Sequence, residues 1–171
     1  MRLPSGFSRL IAAIILFASV PRSHALAAPE PANDNKIAIT RVFLGWKEGA
    51  SFKRISEYFT GRENTGGITV FRSHPEQRSG FYFFVRVANP GAPVPVKINL
   101  EVITPTDTKP KNYTFSGELK SGQNLFNLGL TAGDWPDQKA NPVAWKIDFV
   151  DSDNHILASK DSYLWEKPAT P

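Results

Sequence analysis

The chain has 171 residues, with 20 Lys and Arg against 16 Asp and Glu and no Cys. That length suits one domain, and the missing thiols exclude disulfide staples, Cys nucleophiles, Fe–S clusters, thiolate zinc sites and an N-terminal lipoprotein anchor together. Three of the basic residues, Arg2, Arg9 and Arg22, lie in an N-terminal stretch read below as a signal peptide. The remainder then holds 17 basic and 16 acidic side chains, a balance that gives no electrostatic pull toward nucleic acid or an anionic membrane.

Met1 to Arg9 is basic, Leu10 to Val20 is almost wholly apolar, and Ala25-Leu26-Ala27 presents small residues where a signal peptidase needs them. Eleven apolar residues reach only about 16 Å as a helix, half of a bilayer core of about 30 Å. The expectation is a cleaved signal peptide over residues 1–27, export to the periplasm or beyond the cell, and a polar, Pro-rich disordered leader over residues 28–36. No second apolar stretch approaches the length of a membrane span, so no integral span is expected after cleavage.

The rest of the chain alternates apolar residues with period two, and Gly, Pro, Asn and Asp punctuate it. Lys36 to Trp46 reads as an opening strand with both faces partly apolar. Ser51 to Tyr58 carries Phe52, Ile55 and Phe59 at helical spacing, with Ser51 as N-cap and Gly61 just past the end, so one short helix is expected near residues 51–59. Its apolar side is expected to cover Tyr82 and Phe84. Gly61 to Gly67 reads as a polar, flexible connector to a short strand at Ile68 to Arg72.

Phe81, Phe83, Val85 and Val87 then alternate with Tyr82, Phe84 and Arg86, ending at Asn89-Pro90-Gly91. Val94 to Val102 places five apolar side chains on one face. Tyr113 to Leu119 follows a loop at Pro105 to Pro110, Leu125 to Leu130 is another short strand, and Val143 to Phe149 alternates through Trp145. After Asp151 to Asn154 a last strand runs from Ile156 to Trp165. Seven to eight short strands at this spacing predict an all-β antiparallel sandwich over residues 37–166, followed by a flexible tail at residues 167–171.

The run from Asn89-Pro90-Gly91 through Val94–Val102 to Val143-Ala144-Trp145-Lys146-Ile147, its Asp/Asn turn and the closing strand resembles the immunoglobulin-like or fibronectin type III-like sandwiches of bacterial exported proteins. The resemblance implies the architecture and transfers no functional residue.

Groups able to carry chemistry are sparse. His74 and His155 are far apart, and His74-Pro75-Glu76 supplies too few ligands for a metal. Asp151-Ser152-Asp153-Asn154-His155 begins like a calcium loop but has Ile156 and Ser162 where such a loop needs Gly and a bidentate Glu, so it reads as a turn. Neither a nucleophile with its base nor a phosphate-cradling glycine run is present, and neither a metal nor a cofactor is expected. Asn112-Tyr113-Thr114 fits the glycosylation pattern and matters only in a host that glycosylates.

The expected function is therefore recognition without catalysis, as a protein-binding or structural module whose partner is another exported protein. Trp46, Arg62, Arg72, Arg78, Tyr82, Asp134, Trp135 and Asp137 are the candidate contact residues. The alternative is a carbohydrate-binding module: an exposed Trp135, flanked by Asp134 and Asp137, would stack on a sugar ring. Against that stands a Trp135 folded back to plug the end of the sandwich.

Overall fold

Alternation sends every second side chain of a strand to the same face, and eight strands press their apolar faces together in two layers. A computed structural model describes residues 36–135 and 137–166. The expected signal peptide, the leader up to residue 35 and the tail at residues 167–171 lie outside the described residues.

The strands are β1 (Ala38–Lys47), β2 (Thr69–Arg72), β3 (Gly80–Asn89), β4 (Val94–Thr104), β5 (Asp107–Leu119), β6 (Gly122–Thr131), β7 (Ala144–Val150) and β8 (Ile156–Asp161). One sheet has the order β1-β3-β6-β2 and the other β5-β4-β7-β8. With β1, β3, β4, β5, β6, β7 and β8 as strands A, B, C, C′, E, F and G, the order is A-B-E against C′-C-F-G. This is the Greek-key arrangement of an immunoglobulin-like sandwich. The short β2 lies beside strand E, where strand D sits in that fold.

The core follows the alternation. Phe81, Phe83, Val85 and Val87 of β3 and Phe126, Leu128 and Leu130 of β6 meet Val96, Ile98, Leu100 and Val102 of β4 and Trp145, Ile147 and Phe149 of β7. Each such side chain stabilises the fold by about 1.5–3 kcal/mol through its buried apolar surface. Phe71 of β2 bridges the layers at one edge, its ring centroid 5.6 Å from that of Phe115 in β5 and 6.2 Å from that of Phe126. The buried Asn89 ends β3 by donating from Nδ2 to the carbonyls of Ala92 and Leu119 and accepting from Gly91 N. Asn-Pro-Gly therefore turns the chain from one sheet to the other.

Several local expectations are corrected. A bulge between Ile39 and Arg41 shifts the register of β1 against β3, so Ile39 faces inward before it and Val42 after it. This switch is why both faces of β1 look apolar. β2 pairs with β6 in parallel, because it arrives from the β1–β3 connection and not from a hairpin. The expected Pro105–Pro110 loop is a tight turn, with Thr104 opposite Asp107. Pro110 is accommodated because β5 is an edge strand and the ladder is interrupted between Val102 and Thr104. The last strand stops at Asp161, and Tyr163–Glu166 forms a short helix, α2.

The single helix expected near residues 51–59 is two pieces, a 3-10 turn at Gly49–Phe52 and α1 at Ile55–Thr60. Arg54, not Ser51, is the N-cap, and Gly61 closes α1 with φ of 65°, the left-handed backbone that suits glycine.

Candidate recognition surface

On the outside of the first sheet the register places side chains in rows. Phe43, Phe84, Asn127 and Val70 lie opposite one another across β1, β3, β6 and β2, with Arg41, Arg86 and Leu125 in the row on one side. Phe43 and Leu125 are exposed and Phe84 is half-buried. Together with Ile68 they line a shallow depression of about 190 Å³. The Arg41 guanidinium stands 5.2 Å from the Phe43 ring centroid and the Lys47 ammonium 5.8 Å from that of Phe84, both within cation–π range. The helix does not cover Phe84 as expected. Phe52 of the 3-10 turn reaches back over the sheet instead and covers Tyr82 at a centroid distance of 4.7 Å.

The third outer row is Gly45, Tyr82, Gly129 and Arg72. Tyr82 is fully buried, donating its hydroxyl to the Arg78 carbonyl at 2.7 Å and accepting from Arg72 Nε at 3.0 Å. Arg72 also makes a two-pronged pair with Glu63, Nη1 to Oε2 at 2.9 Å and Nη2 to Oε1 at 2.5 Å. Arg78 Nη1 contacts Glu57 Oε2 at 2.7 Å. The other Glu57 oxygen accepts from the backbone N–H groups of Arg54 and Asn64. The Arg78 hydrogen bond foremost, then the Asn64 N–H, holds the Glu57 carboxyl below its ordinary value. Arg72 does the same for Glu63, and Glu63 in turn raises Arg72. Burial pushes the Tyr82 phenol up.

Three expected contact residues, Arg72, Arg78 and Tyr82, are thus brought together as an internal clamp and not as a contact surface. The residues 61–67, expected as a loose connector, are tied into it through Glu63 and Asn64. Arg62 stays exposed on the same segment. Trp46 packs partly against the core and donates its indole N–H to Glu48 Oε1 at 3.0 Å.

Asp134, Trp135 and Asp137 lie at one end of the sandwich, beyond β6. Trp135 is 2 % exposed and stacks on Phe81 at 4.6 Å. The indole plugs the core, so its face is not offered to a sugar ring and the carbohydrate reading loses its platform. Its Nε1 is buried without a hydrogen-bond partner among the described residues. Asp134 lies 3.3 Å from His74 Nε2. The Tyr113 hydroxyl, raised to about 12 by burial and then by Asp134, faces the same carboxylate. Asp137 accepts from Lys139 N at 2.9 Å, as a turn-forming side chain does. Asp151, Asp153 and His155 bring their ligand atoms within 4.8 Å of one another. Asp151 already accepts from the N–H groups of Asp153 and His155 there, which is the turn the sequence predicts.

Sequence reasoning passed over Arg41, Phe43, Phe84, Arg86 and Leu125 as contacts. The available signal was the aromatic second face of β3, where Phe84 alternates with the buried Phe83 and Val85, which is unnecessary in a sheet that faces water on one side.

No protein-family model matches the chain, and no curated protein matches it. Among solved structures it is similar to an immunoglobulin-like protein from Pseudomonas aeruginosa, at 14 % identity over 76 % of this chain and 97 % of that one, with a TM-score of 0.33. At that score the likeness adds nothing about function, and the sandwich assignment stands on the strand order described above.

Proposed function

We propose that the chain is an exported, non-catalytic recognition module that binds a protein partner through the outer face of the first sheet. The observation that carries this reading is the Phe43–Phe84 pair, in register across β1 and β3 and turned away from the core, with Arg41 and Arg86 beside it. An aromatic pair in an apolar depression supplies anchoring area, and two arginines at its margin supply orientation. Charge complementarity selects a segment that carries aliphatic or aromatic residues next to Asp or Glu. Export rests on the signal-like residues 1–27.

Selection from a random displayed-peptide library tests the reading. Enriched peptides are expected to combine acidic with large apolar residues, and to lose binding to F43S and to R41Q/R86Q. A pool with no such enrichment, or one that binds both variants as well as the parent, overturns it.

A further inference from the structure

The clamp described above holds out a second surface. Ile55, Tyr58 and Phe59 of α1 stand at i, i+3 and i+4 and so share one helix face. They are 78 %, 76 % and 83 % exposed. The helix beneath them is tied down on its other side, where Glu57 joins Arg78, the Arg54 N–H and the Asn64 N–H, and the Gly61 N–H donates to the Glu57 carbonyl. The fold therefore fixes three large apolar side chains in water.

The exposed charges that directly flank α1 in the chain are of one sign. Lys53 and Arg54 precede α1 and Arg62 follows it, all exposed, and none of the three belongs to an ion pair among the described residues. The neighbouring acids, Glu57 and Glu63, are taken up by Arg78 and Arg72. The Arg54 guanidinium folds over Gly66, so a mature chain close to neutral presents Lys53 and Arg62 as two exposed cations flanking an apolar helix face.

We infer that this helix face docks the protein onto an anionic lipid bilayer, with Ile55, Tyr58 and Phe59 entering the headgroup–acyl boundary and Lys53 and Arg62 meeting the lipid phosphates. Exposure and charge favour a bilayer over a protein here: three highly exposed apolar side chains need a matching pocket in a protein but none in a fluid interface. Tyr and Phe suit the interfacial zone, and Lys and Arg lay their stems along apolar surface while the charge stays at the phosphates.

Sedimentation of the purified chain with equimolar phosphatidylglycerol–phosphatidylcholine vesicles tests the inference. Binding is expected to those vesicles, to weaken as salt is raised, and to be absent with phosphatidylcholine alone. R62Q and K53Q should each weaken it about fivefold, and I55S/F59S by at least roughly tenfold, with the melting temperature unchanged because these side chains are exposed. F43S and R86Q should bind vesicles like the parent, which separates this surface from the sheet face. Failure of the parent chain to sediment overturns the inference, as does equal retention of I55S/F59S. So does a photo-crosslinker at position 59 that labels a protein and no lipid.

Discussion

The ring of Tyr82 lies across Gly129, its neighbour in β6, so closely that a Cβ at Gly129 would fall 2.5 Å from Tyr82 Cε1. Gly45, the neighbour on the other side in β1, has open space above it. G129A is therefore expected to cost about 1–3 kcal/mol by overpacking, whereas G45A stays within about 0.5 kcal/mol. Urea unfolding of the pair checks this, and equal stabilities would mean that Tyr82 does not lean toward β6.

The clamp titrates in acid. Glu57 and Glu63 both lie below their ordinary value of 4.5 in the fold, so the folded state binds fewer protons than the unfolded chain. Their stabilisation is complete above about 4.5 and is lost as pH falls through the depressed folded values. Melting temperature followed from neutral pH into acid should drop below that point in the parent and drop less steeply in E57Q/E63Q, which starts lower. Parallel profiles for the two proteins would contradict the pairing.

Trp135 combines a buried ring with an indole N–H that has no partner among the described residues. W135A should cost about 3–5 kcal/mol through the cavity left at the end of the core. W135F keeps the stack on Phe81 and removes the orphaned donor, so its loss of area is offset and stability should stay within about 1 kcal/mol of the parent. Calorimetry of both variants decides this, and a large loss in W135F would point to an unseen partner for the nitrogen.

Thr131 is buried at the end of β6, where its hydroxyl accepts from His74 N at 3.0 Å and donates to His74 O at 3.1 Å. T131V keeps the shape and removes both bonds. A loss of about 1–3 kcal/mol is expected, together with faster amide hydrogen exchange at His74. Unchanged exchange there would show that the Ser73–His74 segment is held by other contacts.

Much of the sandwich was legible because a strand declares itself locally. Val94 to Val102 and Phe81 to Val87 each show which side faces inward without reference to any other part of the chain. The same holds for Gly61, whose left-handed backbone closes a helix only a few residues before it. Residues 61–67 read as a loose connector because their partners, Arg72 and Arg78, come from later in the chain, and nothing in local spacing marks an ion pair across such a gap.

What the amino-acid order determined alone is the layered architecture, its turns and the apolar inventory, since hydrophobic periodicity and backbone preference act over a few residues. Only the tertiary structure decided that Trp135 turns inward, that Arg72, Arg78 and Tyr82 are consumed in a clamp, and that Phe43 and Ile55, Tyr58 and Phe59 are left outside. Those outcomes depend on which strands become neighbours and which acids meet which arginines. Burial and pairing are properties of contacts between distant segments, and they exist only once the two sheets have closed on each other.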